Sequence, residues 1–278
     1  MIKPMDCKEV KEIPREDNLI YERKYDGFRA IVTVDKNKQV KICHGDSPNV
    51  LNFRYPDLVK EFQVQPPGIY DGEICAFNED GISIRKNVAK RQCKNRRKIS
   101  IVTKKYPVSF MAFDLLKDKT GNSIKLDHLI NRKIALQQQL ETTAKIASVS
   151  YEETPDNLLN KEGIIEGIVV KGLYSVYEEG KRTGAWRKKR FNQEETVKVV
   201  EYEEYTRNGT PAGITLITET GGRINLPGPR AEGARKAIDN DGYVMVEIEF
   251  YKKVENGYEF PRVKKNWEVK RVLSPEGL

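Results

Sequence analysis

Zinc ligands are scarce in this sequence. Its 278 residues include four cysteines, Cys7, Cys43, Cys75 and Cys93, and two histidines. No two cysteines stand in a CxxC pair, which excludes the usual spacing of a structural zinc site. The same scatter gives no disulfide framework, and the expectation is four reduced thiols in a cytoplasmic protein. Long apolar runs are missing as well. The leading segment "IKPMDCKEVKEIPRE" has no apolar stretch of the secretory kind, and nothing approaches the roughly 20 residues that span a bilayer. The expectation is a soluble, non-exported chain. Internal repeats and low-complexity tracts are also absent, so a repeat architecture is excluded.

What is present is a charged surface over a sufficient core. Hydrophobic residues make up 38% of the chain, enough for a real interior, and the length exceeds the usual single domain, so one large and one small domain are expected. Lys and Arg total 49 against 41 Asp and Glu, a net charge of +8. That excess points to a polyanionic partner, nucleic acid before membrane. A generically solvated Lys/Glu-rich surface is the competing reading.

The apolar pattern changes along the chain. Residues 19–34 read as two strands around a turn at Asp26-Gly27, residues 55–62 as a short helix, and 68–77 as a strand. The segment "SIRKNVAKRQCKNRRKIS" has helix-compatible spacing and no acidic residue. "YPVSFMAFDLL" returns to strand, and a helix is expected over 126–140. "KEGIIEGIVVKGL" is a further β-branched run. After "WRKKRFNQEE" come short strands, over 196–205, 213–220, 223–226, 243–252, 258–261 and 267–272, interrupted by one helix over 228–238. Five or so strands and a single helix in about 85 residues fit a Greek-key barrel of the OB type. The domain boundary is placed near Asn192, giving domains 1–192 and 193–278.

Five segments carry chemistry in order: "LIYERKYDGFRA", "YDGEICAF", "FMAFDLL", "EGIVVK" and "GKRTGAWRKKR". In this order and spacing they resemble the ATP-dependent DNA ligases of the covalent nucleotidyltransferase superfamily, over nearly the whole chain. The resemblance implies an α+β fold, with an adenylation (nucleotidyltransferase, ATP-grasp-like) domain of antiparallel sheets and a C-terminal OB-fold β-barrel. It also implies that Lys24 attacks the α-phosphate of ATP to form lysyl-AMP. A free lysine, with a pKa of about 10.4, is neutral in only about 0.1% of molecules near pH 7.5. Lowering that value by about 3 units needs roughly 4 kcal/mol, expected from repulsion by Arg29, Lys171, Lys188 and a divalent cation. Gly27 is expected to let the backbone turn sharply and return Arg29 to the same phosphate.

The remaining site roles follow from the same resemblance. Glu22 matches the position that recognises adenine, and Phe113 the aromatic that stacks on the base, although its strand would also bury a core phenylalanine. Glu73 matches a carboxylate near the ribose and metal, and Glu166 the main metal-linked glutamate. Hard oxygen ligands imply Mg²⁺ (or Mn²⁺), with water and phosphate completing the shell. Lys171 and Lys188 are expected at the α-phosphate and Arg182 in the phosphate region. Trp186 and Arg190 complete the nucleotide-binding set, Arg190 standing where the family has a second lysine. His44 stands in place of an arginine that contacts the nick 5′-phosphate. In the C-terminal motif "PRVKKNWEVKR", Lys265 and Lys270 are the nearest matches.

The basic run supplies Arg85, Lys86, Lys90, Arg91, Lys94, Arg96 and Arg97 as expected contacts to DNA phosphates. Between the second and third strands of the small domain stands only "TETGGRI", a tight turn with no room for a DNA-encircling insertion. The expected partners are nicked duplex DNA and ATP, and the expected state is a monomer. An RNA ligase or an mRNA-capping guanylyltransferase shares K-x-D-G and is the nearest alternative. A non-catalytic nucleic-acid-binding protein is the alternative of another class, and it needs neither the carboxylates nor Lys171. The missing zinc cysteines argue against an NAD-dependent ligase.

Overall fold

Alternation of side chains along each strand decides what the two faces carry, and here one face of each of the two large sheets of residues 1–190 carries the candidate site. A computed structural model describes every residue except Met1, Lys94, Gly163, Asn208, Pro229, Tyr251, Phe260, Lys265, Asn266 and 270–278. The expected contacts Lys94, Lys265 and Lys270 therefore lie outside the described residues. The chain divides into two compact units, Met1–Arg190 and Phe191–Leu278.

In the first unit the strands are β1 (Lys8–Glu9), β2 (Leu19–Lys24), β3 (Phe28–Val34), β4 (Val40–His44), β5 (Gly68–Cys75), β6 (Ser109–Lys117), β7 (Ile146–Ser148), β8 (Tyr151–Glu152), β9 (Gly167–Gly172) and β10 (Trp186–Arg190). The α-helices are α1 (Pro56–Val64), α2 (Arg85–Ala89), α3 (Ile99–Lys105), α4 (Leu129–Gln139) and α5 (Asp156–Leu159). One sheet has the order β1-β10-β9-β2-β8 and the other β4-β3-β5-β6-β7. Both are antiparallel except for the parallel pairs β1–β10 and β6–β7.

The second sheet packs one face on α1. Pro56 opens that helix where its missing N–H is harmless, and Asp57 follows in the first turn, where a negative charge suits the helix dipole. Leu58 and Phe62 of α1 bury against Ala30, Val32, Tyr70, Phe110 and Ala112. Full burial of a side chain such as Phe62 stabilises by about 1.5–3 kcal/mol, and Phe62→Ala would cost about 3–5 kcal/mol once the cavity is included. A separate cluster, Met5, Ile20, Ile31, Leu116, Leu129, Tyr177 and Trp186, draws on both sheets. It joins the remaining face of the second sheet to the first.

In the second unit, β11 (Gln193–Arg207), β12 (Thr210–Thr218), β13 (Arg223–Pro227), β14 (Val244–Phe250) and β17 (Arg262–Val263) run β13-β12-β11-β14-β17. β15 (Lys252–Val254) and β16 (Gly257–Glu259) form a separate hairpin. Because β13 also lies against β17, the sheet is nearly closed into a barrel, and α6 (Arg230–Asp241) packs Ala231, Ala234 and Ile238 into it. The fold is thus α+β, with antiparallel sheets and a C-terminal OB-type barrel, as its strand pattern implies.

Three local expectations change. The basic stretch is not one helix: α2 ends at Ala89, a single 3₁₀ turn covers Lys90–Gln92, and α3 begins at Ile99. With no acid on the segment itself, nothing local holds a long helix together, and tertiary contacts set the breaks. The strand expected over 258–261 coincides with β16 only as far as Glu259, β17 beginning at Arg262, and the described residues of the segment expected over 267–272, Trp267, Glu268 and Val269, lie outside any strand. Gly27 has no left-handed backbone. It is required because β5 passes so close that a Cβ would sit 2.2 Å from the Ile74 carbonyl oxygen.

Candidate nucleotide site

Three rows of residues cross the first sheet. Antiparallel register pairs Ile20 with Lys171 and Lys171 with Trp186, then Glu22 with Val169 and Val169 with Lys188, then Lys24 with Gly167 and Gly167 with Arg190. The period of two along β2 puts Ile20, Glu22 and Lys24 on one face. On the second sheet the same alternation sends Asp71 and Glu73 of β5 away from the α1 core, and register places Arg29 opposite Glu73. The two inward faces enclose a cavity of about 210 Å³ whose lining includes Glu22, Lys24, Glu73, Phe113, Lys171 and Lys188. Gly167 keeps the third row flat: its φ is +155°, and a Cβ there would meet the Lys189 carbonyl oxygen at 2.0 Å.

Carboxylates surround Lys24. Its Nζ lies 2.5 Å from Oε2 of Glu166, a side chain only 6% exposed. Oε1 of Glu166 accepts from Arg190 Nε at 3.2 Å, and Arg190 also reaches Glu9 at 3.4 Å. Glu73 stands close enough for Lys24 and Glu166 both to act on its charge. Burial pushes its carboxyl up to about 8, with Lys24 and Arg29 opposing that rise and Glu166 adding to it. Asp26 is raised to about 6 by burial and then by Glu166, although Arg85 N–H donates to its carboxylate. Glu73 and Glu166 thus present hard oxygen donors beside an amine. Among the described residues no group of three or more His, Cys, Asp or Glu converges as a ready cation cage.

The cations expected to repel Lys24 are mostly committed elsewhere. Arg29 makes a two-pronged contact with Asp71, at 3.0 and 2.6 Å, and donates to the Met5 carbonyl at 2.6 Å. Burial works against its charge, but Asp71 outweighs that and raises its pKa. Lys171 pairs with Glu22 at 2.7 Å. Its Nζ lies 4.5 Å from the centre of the Phe113 ring and 4.1 Å from that of Trp186. It also stands four residues along β9 from the partner of Lys24, about 13 Å of strand. Lys171 therefore belongs to the end of the cavity away from Lys24. Lys188 makes no ion pair among the described contacts, and burial, then Arg190 and Lys24, hold its pKa below the usual lysine value.

Other expected residues divide in the same way. Glu22 is 2% exposed, and both of its oxygens face lysines, Lys171 and Lys133. Phe113 lines the cavity and meets Trp186 edge to face at 6.2 Å. Trp186 is a buried wall, 1% exposed. Arg182 is exposed and outside the lining, paired at 3.1 Å with Asp6, which does line the cavity. His44 is hydrogen-bonded to Tyr55 at 2.8 Å and stacked on Phe28. Burial and then Arg54 hold its pKa down to about 4, so it is neutral and offers a phosphate no positive charge. Arg85, Lys86, Lys90, Arg96 and Arg97 are exposed. Arg91 is not: it is fully buried, paired with Asp57 and hydrogen-bonded to the carbonyls of Arg54 and Tyr106. It is a structural cation, because a guanidinium with those partners has nothing left for DNA.

Residues missed from sequence include Asp71, Tyr177 and Lys133. Asp71 stands two positions before Glu73 on the same strand face, so the period of two marks it. Lys133 is buried at one turn's spacing from Leu129 and Leu136. An Arg-Lys pair on that inward helical face was the available signal.

The profile of the ATP dependent DNA ligase domain matches residues 4–190. A DNA ligase from Pyrobaculum islandicum is 30% identical over 209 residues, covering 70% of this chain and 35% of that protein. A prophage-derived DNA ligase-like protein, LigB, from Bacillus subtilis is 29% identical over 191 residues, 67% of this chain and 66% of the relative. The chain thus accounts for one third to two thirds of these relatives' own length. Among solved structures, a Lig E DNA ligase described as binding DNA with a minimal scaffold superposes with a TM-score of 0.65 at 16% identity, covering 97% of this chain and 100% of that one. Mycobacterial DNA ligase D, solved with ATP and MES, gives 0.59 at 17% identity, covering 96% of each chain. With a family profile matching residues 4–190, about two thirds of its length, the chain belongs to the ATP-dependent DNA ligase domain family.

Proposed function

We propose that the protein is an ATP-dependent DNA ligase that seals nicks in duplex DNA, with Lys24 as its nucleophile. The observation that carries this reading is the contact of Glu166 with Lys24, which lines a cavity together with Glu73, Lys188 and Phe113. Lys24 Nζ attacks the α-phosphorus of ATP. An N–P bond forms, the bond to the bridging oxygen of the β-phosphate breaks, pyrophosphate leaves, and the amine sheds its protons. Glu166 Oε2 is the acceptor placed to orient the amine and hold a proton as it leaves. Lys188, the cation facing the reacting end, balances charge gathering on the α-phosphoryl oxygens. Phe113 provides the stacking face for the base. AMP then passes to the nick 5′-phosphate, and the 3′-hydroxyl displaces it.

Glu73 and Glu166 are the residues that would hold a divalent cation, since two recessed carboxylates side by side gain from a shared positive charge. Mg²⁺ or Mn²⁺ there would supply positive charge beside the phosphates, with water and phosphate oxygens completing its shell.

Mixing the protein with ATP and Mg²⁺ should add about 329 Da, one AMP, and Lys24→Ala should remove that gain while leaving the fold intact. Adduct in the Lys24→Ala variant, or with GTP in place of ATP, would overturn the reading. Nicked DNA and nicked RNA duplexes, compared side by side, test the substrate; sealing confined to RNA would make it an RNA ligase.

A further inference from the structure

Helix α4 turns two adjacent cations inward, and only one of them has a structural reason to be there. Arg132 meets Asp114 through two hydrogen bonds, at 2.9 and 2.8 Å, and donates to the carbonyls of Asp127 and Ser175. That pair is complete. Lys133, 1% exposed, pairs instead with Glu22, whose other oxygen already faces Lys171. Lys171 alone would neutralise Glu22. A second ammonium therefore leaves this buried triad with one excess positive charge, which costs stability where an apolar side chain of similar volume would not. Burial pulls the Lys133 pKa down, Glu22 opposing. The ammonium nitrogens of Lys133 and Lys171 and Oε1 of Glu22 also have no well-aligned hydrogen bond among the described residues.

Glu22 and Lys171 line the cavity, and Lys133 stands behind them without reaching it. Resting on the ligase reading above, we propose that Lys133 is a positioning residue that pins the Glu22 carboxylate for selection of a 6-aminopurine at the end of the cavity away from Lys24. A carboxylate has about four lone-pair sites, so two lysines fix its plane and still leave lone pairs for an exocyclic amine. A 6-oxopurine brings a carbonyl to the same place and meets an acceptor. Lys133 touches no substrate; its effect passes through Glu22 and acts on the base.

The test measures lysyl-nucleotide formation by the full chain with ATP and with ITP, which carries an oxygen in place of the 6-amino group. Lys133→Met should lower the ATP/ITP ratio of kcat/KM about tenfold through a higher KM for ATP, with kcat within about twofold. Glu22→Gln should lower the ratio as well, and adding Lys133→Met to it should change the ratio no further. An unchanged ratio in Lys133→Met, or losses that simply add in the double variant, would overturn the proposal. Should Lys133→Met fail to fold, the Glu22→Gln Lys133→Met variant removes both charges of the pair and decides alone: a ratio matching Glu22→Gln supports the coupling, and a further loss refutes it. Absence of any adduct from the unaltered protein would instead sink the ligase reading, and the two failures are distinct.

Discussion

In the cavity lining Glu73 keeps a proton that an unfolded chain sheds near 4.5, because burial lifts its carboxyl to about 8. Between those two values the folded state binds more protons than the unfolded one. Stability contributed by this group is therefore fully present below about 4.5 and is lost as pH rises toward 8. Glu73→Gln removes the titrating group and should flatten that part of the profile. Without nucleotide or metal, its Tm relative to the parent should rise between pH 5 and pH 9, with most of the rise complete by about pH 8; a constant difference across that range would show that Glu73 is already ionised in the fold. At this scale the sequence was legible where a residue stands in a family motif. Lys24 in K-x-D-G and the glutamates of "YDGEIC" and "EGIVVK" take their roles from the order of the family motifs; Lys24 and Glu73 line the cavity, and Glu166 pairs with Lys24. Partners were not legible. Nothing near Glu22 announces Lys133, and nothing near Lys171 announces that Glu22 takes its charge, because both pairings are made by strand register and helix docking over long separations.

The segment between β5 and β6 looks uniform in sequence and is divided in space. Arg91 is buried on Asp57, while Arg96 lies exposed over the Phe53 ring at 5.2 Å and Arg97 is exposed beside it. Removing Arg91 leaves the Asp57 carboxylate, 8% exposed, with Lys145 at 3.0 Å as its remaining partner. Arg91→Ala should accordingly cost about 3 kcal/mol in chemical denaturation. Arg96→Ala or Arg97→Ala should fall within about 0.5 kcal/mol of the parent. Equal costs at all three positions would contradict the division. Period and turn chemistry located α1, α4, α6 and most barrel strands to within a few residues, since each carries its own amphipathic pattern. The basic run has helix-compatible spacing, but nothing in it marks where a helix would break. Its breaks come from Asp57 on α1 and the Tyr106 carbonyl, and a charge count along the segment contains neither.

Charge is distributed unevenly over the whole molecule. Residues 191–278 hold 13 Lys and Arg against 15 Asp and Glu, so the remaining 36 and 26 place the entire excess, +10, on residues 1–190. The β11 strand of the barrel is itself acidic, with Glu194, Glu195, Glu201, Glu203 and Glu204. If DNA is the polyanion, counterion release should be written almost wholly in the first unit. The exposed cations Arg96, Arg97 and Lys98 are the ones to change, with Arg91 left in place because its loss would be read as unfolding. Neutralising all three should weaken binding to a nicked duplex and lower the log–log salt slope by about 0.9 for each phosphate contact removed. Lysyl-AMP formation without DNA should stay as it was, since none of the three lines the cavity. Exchanging Glu201 and Glu203 for glutamine on the barrel should leave the slope unchanged within error. Binding measured at several salt concentrations checks both arms: an unaltered slope in the first variant would make the basic run a solvated surface, and a steeper slope in the second would show that the barrel, despite its net negative charge, meets the phosphate backbone.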